Sequence, residues 1–423
     1  MSLGGSQASR PRPGTTESSP PASGRLWGID MARALAVLGM LAVHVGPTGE
    51  DGVAGTVYAL PHGRASVLFV LLAGVGIALL ARSRRTSRGE ARARLAWRAA
   101  LLLPAGLALQ MLDHGALVIL AQYAVLFAVA TLLLDASDRL LLWLAAVLAL
   151  LGPAVHAVGR SVAPATFERS GAALTDPPST IAVELLATGG YPLIVWAAPF
   201  LLGMWVGRRM LADRHVQHRL LWGGIVVGVA AWGASSLLTG LLGEPAGAGD
   251  PRVLINGSAH SNMPLWLLSS TGLAVAALGG CLLAVRRLGR AAWPLVAIGQ
   301  FAVTIYVGHL VALHLAPDTL TSDEVASAVL LLAGFTIVAG SLAVLWRALF
   351  AYGPLEALLH LPWLVRRSRA RGRSGGVEHA DHGDPASQSA SRRASRPPMT
   401  SSSPTSRACT EPKYSAGCAS RAS

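Results

Sequence analysis

Apolar runs of about twenty residues recur along this chain, near 28–46, 65–81, 96–112, 115–134, 140–157, 188–207, 219–242, 264–285, 293–315 and 325–349. An α-helix crossing a hydrocarbon core of about 30 Å needs about 20 residues at about 1.5 Å each. Backbone polar groups in lipid are satisfied only inside helices or closed barrels. The chain is therefore expected to be an all-α, polytopic integral membrane protein with about ten transmembrane helices. Composition agrees: 52% of residues are hydrophobic and 13% charged, with a mean hydropathy of +0.49, which excludes an ordinary soluble domain and a disordered chain alike.

Orientation follows from the arginines, because Lys and Arg in short loops stay on the cytoplasmic side. With the N-terminus inside, the inner segments hold Arg10, Arg12 and Arg25, a run from Arg82 to Arg98, Arg139, a group from Arg208 to Arg219, and Arg286, Arg287 and Arg290. The outer loops hold only Arg64, Arg160, Arg169 and Arg252. Both termini are expected to be cytoplasmic in a multi-pass protein of the cell membrane, with the lipid bilayer as its first partner. This retention also accounts for the net charge of +13 without a nucleic-acid partner. Residues 1–27 read as a disordered cytoplasmic arm and 364–423 as a disordered, basic cytoplasmic tail, flanking a transmembrane domain over 28–363. The first apolar run is long enough to span, so it doubles as the targeting signal in place of a cleaved one. Cys281 falls in an apolar run and Cys409 and Cys418 in the tail, so no structural disulfide is expected.

Charges stand where lipid makes them costly. Asp30 and Arg33 open the first span and His44 nearly closes it. An ionisable residue at the bilayer centre costs about 2.5–3.5 kcal/mol on insertion scales, so it needs a partner or a purpose. At about 100° per residue Arg33 and His44 both return close to the Asp30 direction. Asp30 and His44 are nonetheless about 21 Å apart along the helix. The three residues line the wall of a pathway and cannot form one compact triad.

Of the twelve histidines, His44, His62, His114, His156, His260, His309 and His314 fall at or near the outer face. An imidazole suits proton transfer near neutral pH. Asp113 adjoins His114, Ser258, Ser261 and Asn262 surround His260, and Tyr306 lies one turn before His309. His62 sits in a Pro-His-Gly-Arg turn at the mouth of a span, where backbone approaches a ligand closely. A metal is not expected: no HxxxH, HExxH or CxxC pattern occurs on an outer helix, and His309 and His314 point about 140° apart. No GxSxG elbow and no glycine-rich phosphate loop is present.

The residues from about Gly28 to His360 resemble the transmembrane acyltransferase superfamily that includes heparan-alpha-glucosaminide N-acetyltransferase and bacterial membrane relatives. Gly28-Ile29-Asp30-Met31-Ala32-Arg33-Ala34 matches that family's opening aspartate and arginine. His62, shortly before the Val67–Gly74 run, is similar to the histidine held to be catalytic there. Ala259-His260-Ser261, Gly299-Gln300, Tyr306-Val307-Gly308-His309 and Gly353-Pro354-Leu355-Glu356 follow in the family's order. Two departures stand out: Ala34 replaces the usual glycine, and Gly63-Arg64 stands where the eukaryotic enzymes carry tryptophan and asparagine. Substrate identity therefore does not transfer.

The resemblance implies transfer of an acyl group, in the first instance acetyl, from a cytoplasmic acyl-CoA co-substrate to a hydroxyl or amine acceptor, such as a sugar, at the outer face. His62 would be the general base or a transient acyl carrier. Asp30 and Arg33 would support the inner half, with Arg33 near donor phosphates or in a purely structural ion pair. His44, Asp113, His114, His260, Ser261, Tyr306 and His309 form the supporting or substrate-binding set. The competing reading from the same charges is a transporter or flippase for a small anionic or glycolipid solute, weakened by the lack of a clear internal repeat. A scaffold without turnover ranks third. A homo-oligomer is compatible with these features and not required by them.

Overall fold

The computed structural model describes residues 26–363 and 365, apart from 48–51, 85, 168, 170 and 364. The expected disordered arm and tail therefore lie almost entirely outside the described residues. Two units are distinguished, Met1–Leu361 and Pro362–Ser423; the described residues of the second, 362, 363 and 365, are helical.

The larger unit is helical throughout, with no strand among the described residues. Its helices are α1 (Trp27–Val45), α2 (Gly52–Tyr58), α3 (Arg64–Arg82), α4 (Arg88–Leu109), α5 (Leu120–Leu133), α6 (Asp138–Val162), α7 (Pro164–Phe167), α8 (Pro178–Val183), α9 (Leu193–Val206), α10 (Arg214–Leu242), α11 (Pro264–Leu288), α12 (Trp293–Gln300), α13 (Ala302–Leu315), α14 (Pro317–Leu320) and α15 (Val325–Leu349). Residues 354–361 are helical again.

Among the described residues, six helical stretches are long and apolar enough to cross a membrane: Trp27–Val45, Arg64–Arg82, Asp138–Val162, Arg214–Leu242, Pro264–Gln300 and Val325–Trp363. A seventh counts if α8 with its π turn and α9, bent by 60° to each other, form one broken span. The expected count of about ten is not reached on this measure, for local reasons. The 96–112 run belongs to α4, which carries Arg92, Arg94 and Arg98 and an internal Pro104. The 115–134 run turns helical only at Leu120 and yields 14 residues. The 188–207 run begins in the π turn Glu184–Thr188, and 293–315 is broken at Phe301.

The first span is interior. Its window is 61% buried and that of α3 is 67% buried, against 17% for α10. α1 packs against α3, α11, α12, α13 and α15, while α10 touches mainly α11. Close approach is built from glycine: a Cβ on Gly299 would fall 1.7 Å from the Asp30 carbonyl oxygen. Leucine and alanine faces complete the core, with Val37, Leu71, Trp196, Phe200 and Trp266 fully buried. Cys281 is buried and unbridged, and Cys409 and Cys418 lie outside the described residues.

Candidate functional site

Two polar regions occupy opposite ends of the bundle. At the arginine-rich end, the Arg33 guanidinium donates to Asp30 Oδ1 at 2.8 Å. Asp30 is 1% exposed and its other oxygen accepts from Gln300 Nε2 at 3.3 Å. A buried carboxylate is tolerated because it is paired and hydrogen-bonded. The Arg33 side chain is 30% exposed and opens into a cavity of about 480 Å³, which Arg94, Arg98, Arg347, Tyr123 and His360 also line. Around it Arg94 pairs with Glu90 at 2.5 Å and Arg98 donates to His360 Nε2 at 3.0 Å. The volume lies within the range of about 300–1,000 Å³ usual for ligand sites.

The same cavity explains two of the motifs. The helical run breaks at Phe301, which frees the first N–H groups of α13. The Glu356 carboxylate takes them, accepting from Val303 N at 2.9 Å and Thr304 N at 3.1 Å. The Gly353-to-Glu356 segment is thus a side-chain cap for a broken helix.

At the other end, His62, His114, His260 and His309 each come within electrostatic reach of His44. His44 and His309 share a hydrogen bond of 2.9 Å with rings 5.2 Å apart and nearly parallel. His309 Nδ1 donates to the Ile305 carbonyl, so its Nε2 is the acceptor and His44 Nδ1 the donor. His114 is fixed in its own turn: Nε2 donates to the Leu109 carbonyl and Nδ1 accepts from Ala116 N–H. His156 is drawn away to the Ala187 carbonyl of the π turn. His314 binds the Asp113 carbonyl, and Asp113 itself is exposed.

His62 is placed by Gly63, whose φ of +69° only glycine adopts freely. A Cβ there would press on Trp266 at 2.9 Å and on the His260 backbone nitrogen at 3.3 Å. The two loops therefore meet at this point. His260 and Asn262 both have left-handed backbones, φ +56° and +60°. Such conformations persist where the surroundings over-determine them. Here the Asn262 side chain accepts from Trp196 Nε1 at 2.9 Å, and Ser261 Oγ donates to the Asn256 carbonyl at 3.2 Å. His260 lies among Tyr191, Trp196 and Trp266, with ring centroids 5.7–6.1 Å away.

Both ring nitrogens of His62, Nδ1 of His260 and Nε1 of Trp266 are buried with no hydrogen-bond partner. Leaving such groups unmade costs about 1–3 kcal/mol each. Burial lowers the pKa of His62, opposed by the Ala59 carbonyl. It lowers that of His260 to about 4, with His62 adding to the effect. Both imidazoles are therefore neutral at pH 7, as a base or nucleophile must be.

An aromatic column joins the two ends. Tyr123 and Phe69 line the cavity with tilted rings 5.3 Å apart; Phe69 lies 6.4 Å from Tyr306, and Tyr306 lies 5.2 Å from His309. The Tyr306 hydroxyl accepts from Ile119 N–H, whereas that of Tyr123 is buried without a partner.

The sequence set His44, His62, His114, His156, His260, His309 and His314 at or near the outer face, and of these His44 meets His309 and the His62 loop meets the His260 loop, while Asp30 and Arg33 pair elsewhere. It missed Tyr123, Tyr191, Trp196 and Trp266, because aromatics inside apolar runs carry no positional signal of their own. Among the described residues no group of three metal-ligating side chains converges. A family model described as heparan-alpha-glucosaminide N-acetyltransferase, catalytic, matches residues 25–245, just over half of the chain. No match was found among curated proteins.

Proposed function

Since the chain belongs to the heparan-alpha-glucosaminide N-acetyltransferase catalytic family, we propose that it is a membrane acetyltransferase. It takes the acyl group of a cytoplasmic acyl-CoA at the arginine-rich end and delivers it to a hydroxyl or amine acceptor at the histidine end, the outer face. Both termini are then cytoplasmic, and the transmembrane domain spans 28–363 in the cell membrane. One observation carries this reading: a cavity bordered by guanidinium groups connects through Tyr123, Phe69 and Tyr306 to His309 of the histidine group.

The proposed division of labour gives each end one task. Arg33, Arg94 and Arg98 supply charge-assisted hydrogen bonds for donor phosphates. Neutral His62 removes the acceptor's proton as the acceptor oxygen or nitrogen attacks the thioester carbonyl. The C–S bond breaks, and the departing CoA thiolate is protonated at the expense of the His62 imidazolium. In the two-step variant the imidazole nitrogen itself attacks first, releasing CoA and leaving an acyl-imidazole for the acceptor. The His44–His309 pair borders the same region and offers a proton relay.

The test is acyl-CoA turnover by the protein in proteoliposomes. His62→Ala is expected to lower acceptor-dependent release of free CoA by about 10²–10⁴-fold. Unchanged release would remove His62 from the mechanism. Solute movement across the vesicle with no CoA release would establish the transporter reading instead.

A further inference from the structure

A second cavity, of about 580 Å³, plays no part in this chemistry. It is a cleft between α9, α10 and α11, lined by Leu202, Val206, Leu220, Val227, Leu268 and Val275, with Arg209 and Arg219 as its charged members. Both arginines stand at one end, where α9 finishes and α10 begins. Its floor comes from close packing of α10 on α11: a Cβ on Gly272 would meet Gly228 N at 2.6 Å. Its depth comes from Gly223, where an added Cβ would touch nothing within 4 Å. The neighbouring Trp222 is 60% exposed, so the cleft opens on the face of α10 that a bilayer would cover.

The two arginines are not used up by the fold. Arg219 is exposed and has no partner among the described residues. Arg209 lies over the Trp205 ring, 4.6 Å from its centroid, and its Nε is buried without a partner. One carboxylate, Asp138, is shared by Arg208 and Arg209. Positive charge therefore remains at one end of an otherwise apolar cleft. From Arg219 to Val227 the helix rises about 12 Å, the length of a substantial part of an acyl chain.

We propose that this cleft is a binding site for an anionic phospholipid, with the headgroup phosphate at Arg209 and Arg219 and one acyl chain along Gly223 and Val227. Charge at the end and an apolar trough behind it match that ligand and no soluble anion. Basic residues near an anionic lipid surface contribute about 1 kcal/mol each, equivalent to about fivefold.

The experiment is native mass spectrometry of the full chain extracted from vesicles of equal parts phosphatidylglycerol and phosphatidylcholine. Wild type should retain phosphatidylglycerol in preference. Arg219→Gln should cut that preference about fivefold, and Gly223→Leu, which fills the trough, should lose bound lipid of both kinds. Arg287→Gln, a basic position outside the cleft, should leave both readings unchanged. Circular dichroism of each variant confirms that it is folded. The proposal is overturned if wild type retains the two lipids equally, if Arg287→Gln acts as strongly as Arg219→Gln, or if folded Gly223→Leu keeps its lipid.

Discussion

At the arginine-rich end of the bundle Arg33 is held by Asp30, Arg94 by Glu90 and Arg98 by His360. At the histidine end His62, His260 and Trp266 leave buried nitrogens with nothing to bind. The first arrangement fixes charged groups around an open space, as recognition of a charged ligand requires. The second holds reactive groups in place and leaves their bonding capacity unspent, as chemistry requires. Under the proposed function this difference divides binding from reaction, so substitutions at one end should act on KM and at the other on kcat.

The largest expected effect tests the reacting end. His62→Ala should lower kcat by about 10²–10⁴-fold while KM for acetyl-CoA holds, measured by CoA release in proteoliposomes. A rise in KM alone would place His62 with the binding groups. Next comes the core of the binding end. Asp30→Ala leaves Arg33 uncompensated, and breaking a buried pair costs about 3–5 kcal/mol; because Arg33 is 30% exposed, the loss should lie at or below the lower figure, read from the thermal midpoint in detergent. Arg98→Gln should raise KM for acetyl-CoA about tenfold, equivalent to about 1.4 kcal/mol, with kcat unchanged; a fall in kcat instead would blur the division.

The smallest effect is in the pH profile. With the His62 pKa held below the ordinary histidine value and that of His260 at about 4, the acid limb of kcat/KM should fall below pH 6.5. The sign for stability runs the same way. The unfolded chain binds these protons first, so folding stability is full above pH 6.5 and declines as pH falls toward 4. An acid limb at or above 6.5 would mean that His62 is not the titrating base.

The family resemblance was legible because it rested on charged and glycine-bearing motifs that lipid does not otherwise tolerate. Asp30 and Arg33 pair as their spacing requires, and His44 indeed stands apart from them. Periodicity also identified the apolar runs, since every one contains helix. It overcounted full crossings because hydropathy ignores where a helix starts: the 115–134 run spends its first residues in an irregular turn fixed by Gln110 and His114. The pairing of His44 with His309 and the meeting of the His62 and His260 loops were not legible, because both depend on contacts between residues far apart in the chain. The aromatic column was hidden for the same reason, as Phe69, Tyr123 and Tyr306 come from three different runs.

The cap on the broken helix has a consequence for what the cavity can hold. A helix that starts inside a protein turns a partial positive charge toward whatever faces it, and that end is a ready seat for a phosphate. Glu356 already sits on the start of α13 while lining the cavity itself. The competing seat is filled by a fixed anion, so an incoming polyanion has only the guanidinium groups to settle on. Under the proposed function the carboxylate acts as a blank in the lock, leaving the phosphates of an acyl-CoA donor to the guanidinium groups alone.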